Sequence, residues 1–371
     1  MKKTLKIRLY PDKKEEAQFL EFSNIARFVY NETLAFSKEF YKNTNKYPTL
    51  QEMIDHIKEL KYGKFPWILN APEAVTKQAI KDLRRAFQNY FSSRGNYPKF
   101  KKKNKTKLSF YQRVDNFRKV DENHVKLTGI KSPVKIKKQN LPNHVYNPRV
   151  TYDGKFWYIS LSFEVECKEK KEKSKIMGID LGIKNTITTS SGETYGNINK
   201  TKEVKLLEKR KKREQRKLSN KYEMNKQGKK FIKTNNIIKL EKKIKLIDRK
   251  LKNIRNTYRH TITKMIIKQE PSVIIIEDLN VSGMLKNKHL SDYIRKQGFN
   301  DIVNKLKYKC ELNGIELKIA DRFYPSSKKC SKCGNLKQDL KLSDRTYNCN
   351  YCGLKLDRDI NAAINLKNCF N

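Results

Sequence analysis

Two pairs of cysteines near the end of the chain constrain its fold more than any other feature. The sequence reads Cys330-x-x-Cys333, then fifteen residues, then Cys349-x-x-Cys352. Each pair lets two thiolates reach one ion from a tight turn, and a glycine follows each pair where the backbone must turn sharply. Four sulfurs complete a closed tetrahedral site with no open position for water. We therefore predict a zinc ribbon over 324–354 that binds one structural Zn²⁺.

The charge of the chain indicates a polyanionic partner. Its 371 residues include 84 Lys and Arg against 39 Asp and Glu, a net charge of +45. Self-repulsion on this scale destabilises a compact state unless a polyanion neutralises it, and nucleic acid fits because phosphate neutralisation releases counterions. No apolar run is long enough to span a membrane, and the start, MKKTLKIRLYPDKKEE, lacks the apolar segment of a signal peptide. We expect a reducing cytoplasm, with Cys167, Cys310 and Cys369 as free thiols.

Helix signals dominate the first hundred residues after one strand. The opening KKTLKIRLYP alternates with period two and predicts a strand. Asp12 and Glu15 form a capping-box pattern before one helix, and Thr49 and Glu52 repeat it before a second. A third helix is predicted over 71–91, after the FPW turn.

The sequence pattern then changes to short runs in which polar and apolar residues alternate, broken by Pro, Gly and Asn. These runs fill 96–168 and predict a small β-barrel, which the first strand (1–11) joins across the inserted helices of 12–95. The charge run that follows, 169–175, is predicted to be a solvated linker.

The segment 201–270 holds 25 basic and 7 acidic residues. Within it, apolar residues recur at alternating steps of three and four, at Ile237, Leu240, Ile244, Ile247, Leu251, Ile254 and Tyr258. This seam predicts a long helix that packs against a helix over 203–222 as a basic hairpin. The hairpin is either a surface pair that only packs or a lid that faces nucleic acid.

Three acidic residues stand where carboxylates are unusual. Asp180 lies in the apolar strand pattern KIMGIDLGIKN, and a buried strand excludes Asp unless it is paired or binds metal. The apolar run PSVIII ends in Glu277 and Asp278, at the strand end where α/β sheets place ligands. Asp357 and Asp359 follow the ribbon in LDRDINAAINL. Each alone is ambiguous, because such carboxylates also cap turns and helices.

Taken in order, these acidic segments match the layout of a ribonuclease-H-like α/β sheet. Three carboxylates from distant segments can hold two Mg²⁺ ions about 3.5–4 Å apart, which activate water and stabilise the leaving oxygen of a phosphodiester. Magnesium requires hard oxygen ligands. The five histidines are scattered and form no ligand pattern.

Together these motifs resemble the TnpB nucleases, a transposon-encoded family related to compact type V CRISPR effectors. The resemblance runs from IRLYPDKKEEAQF and RFVYNETLAF through PKFKKK, GIDLGIKN, IIIEDLNVSGM and RFYPSSKKCSKCG to YNCNYCGLKLDRDINAAINL. It implies a multidomain α+β fold with a β-barrel wedge domain, an inserted helical recognition lobe, and a split RuvC nuclease domain with a zinc ribbon. The implied boundaries are 1–11 and 96–168 for the wedge, 12–95 for the lobe, 169–175 for the linker, 176–323 and 355–371 for RuvC, 201–270 for its basic insert and 324–354 for the ribbon.

The resemblance also implies an activity, that of an RNA-guided DNA endonuclease. One acidic residue from each of three RuvC motifs maps onto Asp180, Glu277 and Asp359, which would bind two Mg²⁺ ions, with Mn²⁺ as an alternative. Arg345 matches an arginine near the active site of relatives. The implied partners are a guide RNA from the transposon end and double-stranded target DNA beside a short motif, with both strands cut. A monomeric ribonucleoprotein at the nucleoid of a prokaryotic cytoplasm is expected.

Three other functions compete with this one. A guide-directed DNA-binding repressor would typically lack one or more of the carboxylates, and this chain keeps all three. A DNA transposase with a tyrosine or a DDE triad would need its own strand-transfer machinery, for which no motif is evident. A CRISPR effector with array-derived guides is disfavoured by chain length, and a repeat array or a transposon end beside the gene would decide between the two.

Overall fold

A computed structural model of the chain describes residues 1–103, 106–115, 117–170, 172, 175–341 and 344–370, and it forms two compact units, Met1–Val165 and Glu166–Asn371. The remaining positions fall within four predicted segments and lie outside the described residues: 104, 105 and 116 in the barrel, 171, 173 and 174 in the linker, 342 and 343 in the ribbon, and 371 in the nuclease domain.

The first unit combines helices with one antiparallel sheet. Its elements are β1 (Lys2–Tyr10), α1 (Lys13–Thr44), α2 (Leu50–Tyr62), a 3₁₀ helix (Pro66–Asn70), α3 (Glu73–Phe91), β2 (Ser109–Tyr111), β3 (Arg118–Lys119), β4 (His124–Lys126), β5 (Val134–Ile136), β6 (Tyr146–Tyr152) and β7 (Trp157–Glu164). Both predicted capping boxes are confirmed. Asp12 and Glu15 exchange side chain–backbone hydrogen bonds at the start of α1, and Thr49 and Glu52 do so at the start of α2.

The sheet of this unit has the strand order β2-β6-β7-β1-β5-β4-β3. Of the predicted β-barrel, the structure shows a curled half-barrel, since no pairing joins β2 to β3 in the described residues. Closure needs a hydrogen-bonded ladder between the first and last strands, and these two strands are only three and two residues long. Phe19 of α1 packs against Phe110 and Trp157 of the sheet, so helices and sheet share one apolar core.

The second unit is built on a five-stranded sheet flanked by helices. Its elements are β8 (Ile176–Asp180), β9 (Asn185–Thr189), β10 (Thr194–Gly196), a 3₁₀ helix (Ile198–Lys200), α4 (Lys202–Met224), β11 (Lys226–Gln227), β12 (Lys230–Phe231), α5 (Asn235–Lys268), β13 (Val273–Glu277), α6 (Val281–Met284), α7 (Ser291–Gln297), α8 (Phe299–Leu312), β14 (Glu316–Ala320), β15 (Thr346–Asn348), β16 (Lys355–Asp357) and α9 (Arg358–Lys367). The sheet order is β10-β9-β8-β13-β14. Strands β8, β13 and β14 run parallel to one another, and β9 runs antiparallel to both of its neighbours, β8 and β10.

Strand β13 is buried on both faces, as its continuous apolar run predicts. Ile274 and Ile276 belong to the core that includes residues of α5, α7 and α8, whereas Val273 and Ile275 belong to a second core with Leu366 of α9. The sheet is therefore the middle layer between two helical layers.

Helices α4 and α5 pair along the predicted apolar seam. Ile247 and Leu251 of α5 pack with Val204 of α4 in a small core, and Lys211 of α4 pairs with Asp248 of α5 at 2.6 Å. Among the described helices, none is long and apolar enough to cross a membrane.

Candidate active site and metal centre

Asp180 and Glu277 end neighbouring strands on the same face of the sheet. Strands β8 and β13 are parallel, with Ile179 opposite Ile276, and successive side chains of a strand point to opposite faces. Ile179 and Ile276 both lie in the α5 and α8 core, so the next residue of each strand faces the other way. That other face is the one against which α9 packs.

Small residues let α9 approach this face closely. A Cβ atom added to Gly178 of β8 would lie 2.0 Å from the Ala363 carbonyl oxygen and 2.5 Å from the Lys367 backbone nitrogen. Ala363 is fully buried at this contact. In the loop after β8, a Cβ on Gly182 would lie 4.0 Å from Oδ2 of Asp359. The helix therefore places Asp359 beside the loop that follows Asp180.

We expect Gly178→Ala to lower the free energy of unfolding by about 1–3 kcal/mol, because the added methyl group meets helix backbone that cannot rotate away. The same displacement of α9 should slow any chemistry that uses Asp359. Unfolding measured by denaturant titration tests the first expectation. Gly196→Ala is the matched control, because a Cβ there meets nothing within 4 Å; equal stability of both variants would contradict the close contact.

The carboxylates of this site perturb one another. Burial raises the pKa of Asp180 well above its ordinary value, and the charges of Glu277 and Asp359 add to the rise while the Arg358 guanidinium opposes it. Burial also raises the pKa of Glu277 to about 7; its hydrogen bond with Asp180 opposes that rise and the charge of Asp359 adds to it. Crowded, buried carboxylates repel one another, and a bound cation relieves that repulsion. The donor set, three hard carboxyl groups, suits Mg²⁺.

The two aspartates of the LDRD segment have different surroundings. Asp357 is the N-cap of α9, since its Oδ1 accepts hydrogen bonds from the backbone N–H groups of Asp359 at 2.9 Å and Ile360 at 3.3 Å. Asp359 is buried in the first turn, with its Oδ1 3.5 Å from an Nη atom of Arg358. The helix cap and the third carboxylate of the site are therefore separate residues.

The four predicted zinc ligands come together in the structure. Their sulfur atoms all lie within 4.8 Å of one another, with Cys330 and Cys352 3.6 Å apart and Cys333 and Cys349 3.5 Å apart. A tetrahedral ion with Zn–S bonds of about 2.3 Å separates its ligand sulfurs by about 3.8 Å, so the cluster fits zinc.

The turns around the cysteines also fit a metal centre. Gly334 and Gly353 have φ angles of 78° and 69°, the left-handed region in which a side chain is strained. Hydrogen bonds from the backbone N–H groups of Cys352 and Tyr351 lower the pKa of Cys349 to about 6, which favours the thiolate that a metal binds.

Helix α9 also binds the ribbon, through two buried asparagines to which we assigned no role from the sequence. The Asn361 amide donates to the Lys329 carbonyl at 2.8 Å, and its oxygen accepts from the Ser331 N–H at 3.0 Å. Asn365 donates to the carbonyls of Ser326 at 2.8 Å and Lys329 at 2.6 Å. Asparagine is disfavoured inside helices. Two asparagines four residues apart in one predicted helix were therefore the sequence feature that could have indicated this contact with the ribbon.

A third unpredicted residue, Gln297, supports the loop after β8. Its side chain is buried, and Nε2 donates to the Gly182 carbonyl at 2.9 Å. The backbone carbonyl oxygen of Gln297 accepts a hydrogen bond from Nε of Arg259 in α5 at 2.8 Å. Nothing in the sequence around this glutamine distinguishes it.

The backbone of Arg345 contacts the start of α9. Its carbonyl accepts from the Arg358 N–H at 2.9 Å, and its side chain is exposed. A part for Arg345 in the active site stays a prediction.

Three family models match different parts of the chain. They are described as "Probable transposase" over residues 158–288, "Cas12f1-like, TNB domain" over 299–366 and "Helix-turn-helix domain" over 1–46. The last span folds here as β1 and the single long helix α1. A chain in a solved cryo-EM structure of a Cas12f1–sgRNA–target DNA complex is similar to this chain, with a TM-score of 0.63 at 15% identity. The match covers 99% of this chain and 98% of the solved chain. The fold is therefore a Cas12f-like multidomain α+β fold.

Similar curated proteins define the family more narrowly. A Streptomyces pristinaespiralis protein described as a candidate RNA-guided DNA endonuclease is 27% identical over 374 residues, which cover 99% of this chain and 89% of that protein. The TnpB-like protein MJ0751 of Methanocaldococcus jannaschii is 30% identical over 213 residues, which cover 53% of this chain and 69% of that protein. The chain belongs to the TnpB family, as the motifs predicted.

Proposed function

We propose that this chain is an RNA-guided, Mg²⁺-dependent DNA endonuclease with one RuvC-type active site. The observation that carries the proposal is the convergence of Asp180, Glu277 and Asp359 from two neighbouring strand ends and the first turn of α9. The sheet order, with β8 between an antiparallel hairpin and two parallel strands, supports a ribonuclease-H-like assignment. The names of curated relatives support the activity.

Each carboxylate has a distinct structural support in this proposal. Asp180 is held by the central strand, Glu277 by the next strand, and Asp359 by a helix that its neighbour Asp357 caps. Two Mg²⁺ ions bound there would activate a water molecule and stabilise the leaving oxygen of the cleaved phosphodiester. A Glu277 pKa of about 7 means that binding a cation also displaces a proton from this group.

The rest of the chain supplies the nucleic-acid surface. The basic hairpin of α4 and α5 lies in a segment with 25 basic and 7 acidic residues, and such a surface binds phosphates with counterion release. A guide RNA transcribed from the transposon end would supply sequence specificity by pairing with target DNA beside a short motif, after which both strands are cut. All three carboxylates come from one chain, so a monomeric ribonucleoprotein suffices. Its place of action would be the nucleoid of a prokaryotic cell.

We also retain the predicted domains as part of this proposal. The wedge domain comprises 1–11 and 96–168 and the recognition lobe 12–95. The linker is 169–175, the RuvC domain is 176–323 with 355–371, and the ribbon is 324–354.

The protein purified with its own RNA is expected to cut a matched double-stranded DNA in Mg²⁺. Sequencing the copurified RNA identifies the guide and hence the target. EDTA should stop cleavage and added Mg²⁺ or Mn²⁺ should restore it, because carboxylate sites bind both ions. A complex that binds its matched target but never cuts, across metals and temperatures, would instead support a DNA-binding repressor.

A further inference from the structure

One aromatic side chain stands out from the surface close to the active site. Phe323 is 87% exposed, the largest value among the large apolar side chains in the described part of the chain. Scattered exposed apolar residues are common in proteins. The position and rigidity of this residue are what set it apart.

Phe323 follows the strand beside Glu277. Strands β13 and β14 are parallel, and Glu277 lies opposite Ala320, the last residue of β14. Three residues of chain span at most about 11 Å and adjacent strands lie about 4.8 Å apart, so the Cα atoms of Phe323 and Glu277 are within about 16 Å. Phe323 therefore lies in the segment that leaves the sheet at the end that carries Glu277.

The turn that bears Phe323 is anchored on both sides. The Phe323 N–H donates to Oδ1 of Asp321 at 2.8 Å, and the Tyr324 N–H donates to the Asp321 carbonyl at 3.1 Å. The Tyr324 hydroxyl donates to the Asn365 carbonyl of α9 at 3.0 Å. A rigid backbone thus presents the ring to solvent, which lowers the entropy cost of binding a flat ligand.

A cationic residue, Arg322, directly precedes Phe323 in the chain. Arg322 is half exposed, and one of its Nη atoms donates to Oδ2 of Asp278 at 2.5 Å. Asp278 directly follows Glu277, so this pair ties the turn to the end of β13. A guanidinium carries five N–H donors in a fixed fork, and contact with one carboxylate oxygen leaves donors that can bind a phosphate.

The geometry points to a nucleotide subsite in which Phe323 stacks on a base of the single DNA strand entering the active site and Arg322 binds a neighbouring phosphate. This inference rests on the proposed function and assigns it a substrate contact beyond the metal ligands. Aromatic side chains bind single strands by stacking without sequence preference, because every base has a flat π face. Such a contact would hold the unpaired strand still beside the carboxylates.

An abasic scan of a single-stranded matched target tests the subsite with the whole ribonucleoprotein. In the wild-type complex, removing the stacked base should slow cleavage about 5- to 150-fold at one or two positions near the cut. Phe323→Leu should lower the cleavage rate of the intact strand by a similar factor. The cleavage rate of this variant should not change further when the base is removed at those positions. Phe323→Trp, which keeps a flat ring, should retain both the rate and the sensitivity of the wild type.

A matched control is Tyr293→Leu, which removes an aromatic ring from a residue of α7 that is 56% exposed. Its abasic profile should equal that of the wild type. If Phe323→Leu also gives the wild-type rate and profile, the subsite is wrong while the endonuclease assignment stands. A wild-type complex that cuts no matched target overturns the proposed function instead.

A second measurement does not depend on cleavage. In Asp180→Ala complexes, a photoreactive 5-iodouracil moved along the bound strand should crosslink to Phe323 at one or two positions, identified by peptide mass spectrometry. Absence of a crosslink to Phe323 at every position contradicts the subsite, whether or not the wild-type complex cuts.

Discussion

Asp359→Asn is expected to lower the rate of DNA cleavage by about a thousandfold or more, whereas Asp357→Asn should stay within about threefold of the wild type. Asparagine keeps the shape of aspartate but loses the charge that a metal ligand needs. It caps helices as well as aspartate does, so residue 357 should still accept the N-cap hydrogen bonds from the backbone N–H groups of Asp359 and Ile360. The same substitution two residues apart therefore separates the ligand from the cap.

Single-turnover cleavage at saturating target, with target binding measured in parallel, gives the comparison. Both variants should bind RNA and target like the wild type. If Asp357→Asn loses as much activity as Asp359→Asn while its thermal unfolding is unchanged, then Asp359 is not the sole ligand from this helix.

Cys349→Ser has the second largest expected effect, the loss of bound zinc together with a fall in cleavage of about a hundredfold or more. Structural zinc contributes to folding directly, and the ribbon is bound to α9 through Asn361 and Asn365. Loss of the ion should therefore displace the helix that carries Asp359, and a misplacement of about 1 Å can cost about a hundredfold in rate. Zinc content by mass spectrometry and the cleavage rate are measured on the same preparation.

Cys167→Ser is the matched control, because Cys167 is exposed and lies outside the cluster. It should keep both zinc and activity. A Cys349→Ser protein that has lost its zinc yet cuts at the wild-type rate would show that the ribbon does not position α9.

Local chemistry allowed much of the fold to be predicted from the sequence. Asp12 and Thr49 begin helices because each can satisfy a free backbone N–H of the first turn. The apolar run before Glu277 predicted a strand buried on both faces, which the two cores around β13 confirm. The cysteine spacing predicted the sulfur cluster, because each Cys-x-x-Cys turn lets two thiolates reach the same metal ion.

Features that depend on distant segments could not be predicted in this way. The sequence predicted a barrel-like sheet but not that it is a half-barrel, because closure depends on the lengths of β2 and β3, which short alternating runs do not reveal. Asn361 and Gln297 were missed because their partners are backbone carbonyls of Lys329 and Gly182, and any residue offers such a group. The proximity of Asp180 to Glu277 required the strand order, which places β13 beside β8.

The most direct test of the central claim is a guide exchange with two targets. Two complexes are assembled from the purified protein and two RNAs that differ only in the targeting segment, and each is mixed with both double-stranded DNAs in Mg²⁺. Each complex should cut only the DNA that matches its RNA, and Asp180→Ala complexes should cut neither. Cutting that ignores the RNA, or joining of transposon ends without any RNA, would contradict an RNA-guided endonuclease.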